Sequence, residues 1–163
     1  MITRLFRHLF APLVRQRFPD SALDAIQHAV TQSERLHDAE LCFAVEGRLS
    51  IDHLLSGRSA RQRAEEVFSN LRVWDTERNT GVLIYLLLAE RAIEIIADRG
   101  VALRVPEAEW ASVHAAIASA FARRDWQGGA LLGVEAAHTV LARFVPVTGQ
   151  EQIDELPDRP VLL

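Results

Sequence analysis

Long apolar stretches mark the segments that we predict to be strands. Residues 39–45 and 82–89 are apolar at nearly every position, which is typical of strands covered on both faces of a sheet. Residues 92–97 alternate more weakly and follow the polar pair Glu90 and Arg91, which indicates a tight turn. The pattern therefore predicts two buried strands and a hairpin partner that returns antiparallel to the second of them.

Apolar residues that recur at intervals of three and four predict helices around these strands. Ser59 and Gln62 have the spacing of a capping box, so we expect a helix to begin there. Pro106 suits the first position of a later helix, where its missing N–H costs nothing, and Pro146 ends the last one. The predicted helices cover approximately residues 21–37, 59–73, 106–122 and 126–144.

The order of these elements predicts the topology of the sheet. A helical crossover joins parallel strands, so we expect residues 39–45 and 82–89 to run side by side and the third strand to return antiparallel. We expect residues 47–57 to form a loop and residues 101–105 to form a short edge strand. The predicted fold class is α/β: a three-layer α/β/α sandwich with a small mixed sheet of three or four strands and an added N-terminal amphipathic helix.

Basic side chains and a stripe of apolar side chains at helical spacing share residues 1–19. The basic residues are Arg4, Arg7, His8, Arg15 and Arg17. The apolar residues are Ile2, Leu5, Phe6, Leu9, Phe10, Leu13 and Val14. This pattern predicts a basic amphipathic helix, and two interpretations of it stay open. It docks on a membrane surface or a protein partner through residues 1–17, or it packs on its own domain.

Turn residues and changes in composition divide the chain into three parts. Residues 1–19 form the basic helix, and residues 20–145 carry all the predicted strands and their helices. Residues 146–163 contain three Pro residues, one Gly and no hydrophobic period, so we expect an extended tail.

Composition excludes several classes of protein. A chain of 163 residues, 49% of them hydrophobic, is long enough for one folded core and too apolar to be disordered. The net charge of -4 argues against a nucleic-acid-binding protein, and a single Cys excludes an intrachain disulfide. The longest apolar stretch has 8 residues, and Arg7 and His8 interrupt any export signal. We therefore expect a cytoplasmic location.

One end of the predicted sheet gathers acidic and amide side chains. If the first two strands are parallel and the third antiparallel, the residues before the first two and after the third share that end. The candidate metal ligands there are Asp38, Glu40, Asp75, Glu77, Asn79 and Asp98. Oxygen ligands of this kind suit Ca²⁺ or Mg²⁺. The alternative is a solvated loop in which Asn79 and Gly81 adopt backbone conformations that other residues avoid.

A motif in residues 72–84 resembles a known family. It consists of a Trp, a short polar loop, the triplet Asn79-Thr80-Gly81 and an apolar strand, which is similar to the middle motif of the TPM domain family. Residues 90–95 look like the hairpin of that family. Residues 121–130 resemble its stretch of Phe, basic, Asp, aromatic and Gly residues. The resemblance extends over about residues 22–145.

The resemblance implies functions that the residue pattern does not. Some members of the family are phosphatases, and many bind divalent cations. This chain departs from the family in having Asp98-Arg99-Gly100 where two glycines are usual. We also expect neither the export signal nor the trailing transmembrane helix that are common among members.

We therefore expect a binding or interaction module with a Ca²⁺ or Mg²⁺ site. The first alternative is a weak metal-dependent phosphomonoesterase, in which Asp75, Arg78 and Arg99 would act on phosphate. Trp74 would line the substrate pocket or belong to the core. The second alternative is a peripheral membrane protein that docks through residues 1–17. The sequence leaves the oligomeric state open.

Overall fold

A mixed β-sheet organises the chain. The computed structural model describes residues 2–11, 13–149 and 154–163, with the side chain of Ile2 outside the description. The described residues form four strands, β1 (Glu40–Glu46), β2 (Gly81–Leu87), β3 (Ala92–Ala97) and β4 (Val161–Leu162), in the sheet order β3-β2-β1-β4. β1 runs parallel to β2 and to β4, and β3 runs antiparallel to β2. The predicted directions of the first three strands are confirmed.

Helices cover both faces of this sheet. In chain order they are α1 (Ile2–Leu9), α2 (Val14–Arg17), α3 (Asp20–Glu34), α4 (Ile51–Leu55), α5 (Ala60–Asn70), α6 (Arg99–Ala102), α7 (Trp110–Ala122) and α8 (Trp126–Phe144). Side chains of α3, α7 and α8 pack on one face, and side chains of α4 and α5 pack on the other. The chain is a three-layer α/β/α sandwich, as the sequence predicts.

The alternation along β1 explains why two cores form. Leu41, Phe43 and Val45 belong to the larger cluster with α3 and α8, because successive side chains of a strand point to opposite faces. Cys42 and Ala44 belong to the smaller cluster with α5. Burial, with a smaller contribution from the nearby Glu34, raises the pKa of the Cys42 thiol to about 12. Cys42 is therefore a small core residue.

Two polar arrangements fix α5 against the sheet. The predicted capping box is present: Ser59 accepts from the Gln62 N–H, and Gln62 accepts from the Ser59 N–H. Within the smaller core, Glu46 accepts from the Tyr85 hydroxyl at 2.6 Å and from the Arg63 Nε at 2.8 Å. Because both charges of the pair are hydrogen-bonded, the ion pair is tolerated in this buried position.

Several predicted elements differ from the observed ones. Residues 101–105 do not form an edge strand, since Asp98 caps the N-terminus of α6 and the segment turns helical. The predicted loop at residues 47–57 contains α4, which Ser50 caps. The helix predicted to reach residue 37 ends at Glu34, and Pro106 precedes a 3-10 turn (Glu107–Glu109) rather than beginning α7.

The two ends of the chain also differ from the simplest expectation. The N-terminal segment forms two short helices, α1 and α2, rather than one. The tail adds β4 to the sheet, where Val161 pairs with Ala44 and Leu162 with Val45, while residues 150–153 of the tail lie outside the described part. Within the described residues, no helix combines the length and the apolar character needed to cross a membrane.

Candidate functional site

The observed register brings the starts of β1 and β2 and the end of β3 to one end of the sheet. The sequence predicts a site at this end. Glu40 at the start of β1 pairs with Gly81 at the start of β2, and Val82 pairs with Ala97 at the end of β3. The loop before β2 and the residue after β3 therefore meet at this end. All six predicted metal ligands lie here or in the adjoining loops, but their side chains have different partners.

Asp38 is a buried acceptor rather than an open ligand. Its side chain is 3% exposed, and its Oδ2 accepts from Arg78 Nη1 at 2.8 Å, from the Thr148 N–H at 3.0 Å and from the Thr148 hydroxyl at 2.5 Å. Its Oδ1 is buried and finds no partner among the described residues. The carboxylate thus joins Arg78 to the segment that follows α8.

The polar loop before β2 is held mainly by contacts within this end of the sheet. Asp75 pairs with Arg72, whose guanidinium lies 5.9 Å from the centre of the half-exposed Trp74 ring. Asn79 has a φ of 55° and its Oδ1 accepts from Arg99 Nη2 at 3.3 Å. Trp74 is 46% exposed, so it is not a core residue.

The remaining predicted ligands serve as caps and backbone contacts. Asp98 accepts from the Arg99 N–H at 2.7 Å, which fixes the start of α6. Glu77 is exposed, and its backbone N–H donates to the Glu155 carboxylate at 2.9 Å. Glu40 is 2% exposed, and its Oε2 accepts from the N–H groups of Glu155 and Leu156 at 3.2 and 3.3 Å. Both Glu40 and Glu77 therefore bind the tail to the sheet.

A second acidic group lies beside Glu40. Glu34 at the end of α3 meets Asp154 and Asp158 of the tail, and one carboxylate oxygen from each lies within 4.8 Å of the others. These residues border a cavity of about 360 Å³. The other residues that line it are Thr31, Arg35, Glu40 and Val147. Among the described residues, Glu34, Asp154 and Asp158 form a group of carboxylates whose geometry could hold a metal ion.

Hydrogen bonds fix two of these carboxylates in place. Glu34 Oε1 accepts from the Leu41 N–H of β1 at 2.7 Å, and Asp158 Oδ2 accepts from the Thr31 hydroxyl of α3. Asp158 Oδ1 is buried and has no hydrogen-bond partner among the residues described. The neighbouring Arg159 pairs with Asp24 of α3, so two adjacent tail residues bind the tail to α3.

The electrostatics of the cavity disfavour so many negative charges. The pKa of Glu34 is raised to about 9: burial is the largest cause, the Leu41 hydrogen bond opposes it, and the nearby Glu40, Asp158 and Asp154 add to it. Burial and Asp158 also raise the pKa of Asp154. Without a counter-charge, Glu34 therefore holds a proton at neutral pH.

Of the acidic residues at this cavity, the sequence pattern indicated Glu40 as a candidate ligand but did not indicate Glu34, Asp154 or Asp158. The sequence did not indicate Glu34 as a ligand because it lies inside a helical pattern, where a charged residue usually faces solvent. The two aspartates lie in a tail without hydrophobic period. The available signal was their spacing, Asp154 and Asp158 around a Pro, directly before the apolar pair Val161 and Leu162.

Comparison with known proteins agrees with the fold. A solved structure, the NMR structure of BA42 protein from the psychrophilic bacterium Bizionia argentinensis, is similar to this chain with a TM-score of 0.74 and 28% sequence identity. The similarity covers 87% of this chain and 92% of that one. No curated protein matches the chain.

The family model of the TPM domain matches residues 15–140. This range includes both buried strands, the hairpin and all the helices from α3 to α7. It also includes the motif of residues 72–84 on which the resemblance rests. The chain belongs to the TPM domain family.

Proposed function

We propose that the protein is a divalent-cation-binding module whose site is formed by Glu34, Asp154 and Asp158 beside Glu40. The observation that carries this proposal is the convergence of three carboxylates on one cavity, with oxygens within 4.8 Å of one another. The buried, unpartnered Oδ1 of Asp158 supports it, because a buried polar atom without a partner costs free energy that a bound cation would recover.

The raised pKa of Glu34 fits a site in which a bound metal ion would supply the positive charge that these carboxylates need. Carboxylates that repel one another bind protons until a cation replaces those protons. Cation binding should therefore release the proton of Glu34, whose pKa is about 9. Affinity should then rise with pH across the neutral range.

The set of ligands favours Ca²⁺ over Mg²⁺. Ca²⁺ accepts several carboxylates at once, whereas Mg²⁺ usually keeps most of its waters and takes one or two. Glu34, Asp154 and Asp158 supply three such groups.

The experiment is calorimetric titration of the chelator-treated protein with CaCl₂ and with MgCl₂. We expect Ca²⁺ to bind the wild-type protein, and Asp158→Asn to weaken that affinity about tenfold or more, because the substitution removes a ligand charge. Asp75→Asn is the matched control. It removes the same charge from an exposed side chain of the loop before β2, so its affinity should equal that of the wild type.

Two outcomes would contradict this site. A loss of affinity in Asp75→Asn with none in Asp158→Asn would move the cation to the loop of residues 75–79 that the sequence favours. No heat with either cation, together with no increase in the melting temperature, would contradict cation binding altogether, since a ligand at about 100 times its Kd adds roughly 2.7 kcal/mol.

A phosphomonoesterase is the second candidate, and Arg35 is the observation that favours it. This arginine lines the same cavity, so a phosphate bound to the cation would meet a guanidinium there. Arg78 and Arg99, the arginines predicted from the sequence, donate instead to Asp38 and Asn79. Hydrolysis of p-nitrophenyl phosphate that needs Ca²⁺ or Mg²⁺ and falls in Arg35→Gln would support the enzyme. Hydrolysis that is absent, or equal in that variant, would contradict it.

A further inference from the structure

The α1 helix contacts the domain through its polar side chains. His8 is 2% exposed; its Nδ1 accepts from the Leu49 N–H at 2.9 Å, which leaves Nε2 to donate to Glu90 Oε1 at 2.8 Å. Arg4 Nε donates to the same Glu90 oxygen at 2.6 Å. Glu90 lies in the turn between β2 and β3, so these bonds fix α1 to the hairpin.

The apolar side chains of this region consequently face solvent. Exposed fractions rise from 48% at Leu5 to 76% at Phe10, and the Phe6 and Phe10 rings stack with centroids 6.3 Å apart. The large apolar residues exposed in this way are Leu5, Phe6, Leu9, Phe10 and Leu13. An amphipathic helix that packs on its own domain shows the opposite arrangement, with the apolar face inward. The exposed face therefore suits an external apolar phase.

A cationic cavity adjoins this apolar face. Its volume is about 720 Å³, and its lining includes Phe10 of the apolar face. Four arginines line it: Arg7, Arg17, Arg91 and Arg124. Within the part of the chain that is described, none of the four has an acidic partner. Glu90 is the acidic residue of the lining, and it is already bound by Arg4 and His8.

In the part of the chain that the structure describes, two buried donors of this cavity lack an acceptor. The Arg17 guanidinium lies 5.1 Å from the centre of the Trp126 ring. Arg17 Nε and Trp126 Nε1 are both buried without a hydrogen-bond partner among the residues described. Unpartnered donors beside unpaired guanidiniums are the complement of an oxyanion, and guanidinium groups match phosphate oxygens in particular.

We propose that this face docks on an anionic phospholipid surface. The exposed side chains of α1 enter the boundary between headgroups and acyl chains, and the arginine cavity receives a lipid phosphate. Charge complementarity selects this occupant. The protein as a whole carries a net charge of -4, so an anionic surface would repel it except where these four arginines concentrate positive charge beside exposed apolar groups.

The docking face is separate from the proposed cation site. The cation site lies at the Glu40 end of β1, and the hairpin that carries Glu90 and Arg91 lies beyond the Glu46 end. Seven residues of strand separate the two ends, which corresponds to about 20 Å. Lipid binding can therefore be measured in chelator, where the cation site contributes nothing.

The test is co-sedimentation of the full chain with vesicles in chelator. One set of vesicles contains phosphatidylcholine alone, and the other contains phosphatidylcholine and phosphatidylglycerol in equal parts. We expect binding to the anionic vesicles, and weaker binding as salt is added. Arg91→Gln and Arg124→Gln should each lower the affinity about fivefold, because each removes one basic group near the surface. The double variant Leu9→Ser/Phe10→Ser should abolish stable binding.

The matched control is Arg104→Gln, which removes an exposed arginine after α6 at the other end of the sheet. It should bind as the wild type does, and circular dichroism should show that all variants fold. Equal binding to both vesicle types, or an equal loss in Arg104→Gln, would overturn the proposal. So would binding of inorganic phosphate without vesicle binding, or a dimer in solution that Leu9→Ser/Phe10→Ser dissociates while vesicles leave it unchanged.

Discussion

Glu34 should make the stability of the cation-free protein depend on pH. Between the ordinary carboxyl pKa of 4.5 and about 9, the folded protein holds a proton on Glu34 that the unfolded chain has released. Raising the pH through this range therefore favours unfolding, by up to about 1.4 kcal/mol per pH unit. Glu34→Gln carries no titrating group, so its free energy of unfolding should fall less over the same range. Urea denaturation in chelator measures both slopes.

The control for this prediction is Glu65→Gln, which neutralises an exposed glutamate on α5. Its slope should match that of the wild type. Equal slopes for the wild type and Glu34→Gln would show that Glu34 is ionised in the folded protein. Burial and the neighbouring His138 lower the pKa of His37 to about 4, so His37 affects the stability in the acidic range. It reduces stability as the pH falls from 6.5 towards 4, so it does not disturb the comparison above neutral pH.

Two residues of the motif in residues 72–84 show what sequence can and cannot say about a single position. Asn79 was assigned an unusual backbone conformation, and its φ of 55° is in the left-handed region. The sequence offers the same explanation for Gly81, but the constraint observed there is steric, because no side chain fits. A Cβ at Gly81 would lie 1.9 Å from the Val73 carbonyl oxygen. The residue type indicates a constraint, while the tertiary contact decides which constraint it is.

At the scale of an element, the capping box of α5 should contribute measurably to stability. Ser59 accepts from the Gln62 N–H at 3.1 Å, and Gln62 Oε1 accepts from the Ser59 N–H at 3.0 Å. Ser59→Ala removes the side-chain acceptor and should cost about 1 kcal/mol. For a chain of this size that lowers the melting temperature by about 2–4 °C. Differential scanning calorimetry measures the change.

Ser69→Ala makes the same substitution near the end of the same helix, on an exposed side chain. Because Ala has the higher helix propensity, this control should leave the melting temperature unchanged or raise it slightly. A decrease of similar size in both variants would mean that the loss in Ser59→Ala does not come from the cap.

Elements with a long hydrophobic period were predictable, and short ones fixed by one tertiary contact were not. β2 is apolar along its whole length because helices cover both of its faces. β4 has two residues, too few for a period, and exists because Ala44 and Val45 offer an open edge. At α6 the cap from Asp98 outweighs the strand propensity of Val101 and Val105.

The same distinction separates the predicted part of the candidate site from the missed part. Strand direction follows from the order of elements, so the end of the sheet that carries Glu40 could be located from sequence. The acidic residues that share its cavity could not be located, because Asp154 and Asp158 are more than a hundred residues from Glu40 along the chain. No local pattern encodes a contact of that separation.

At the scale of the whole molecule, a bound cation should fasten the tail. The tail supplies Asp154 and Asp158 while α3 supplies Glu34, so a cation between them adds a link that the unbound protein lacks. Two backbone N–H groups report on this link. The Leu156 N–H donates to Glu40 Oε2 at 3.3 Å, and the Leu163 N–H donates to the Val45 carbonyl at 3.0 Å. Both should exchange with solvent more slowly when Ca²⁺ is bound.

Hydrogen exchange followed by mass spectrometry tests this link on a peptide covering residues 154–163. Saturating Ca²⁺ should slow exchange about 100-fold when its concentration is about 100 times the Kd, provided that the cation must leave before the tail detaches. A peptide from the turn between β2 and β3, at the opposite end of the sheet from Glu40, is the internal control. In Glu34→Gln the slowing in the tail should be much smaller, because the α3 side of the link is weakened. Equal slowing in that variant, or slowing spread evenly over tail and hairpin, would mean that Ca²⁺ stabilises the protein without joining α3 to the tail.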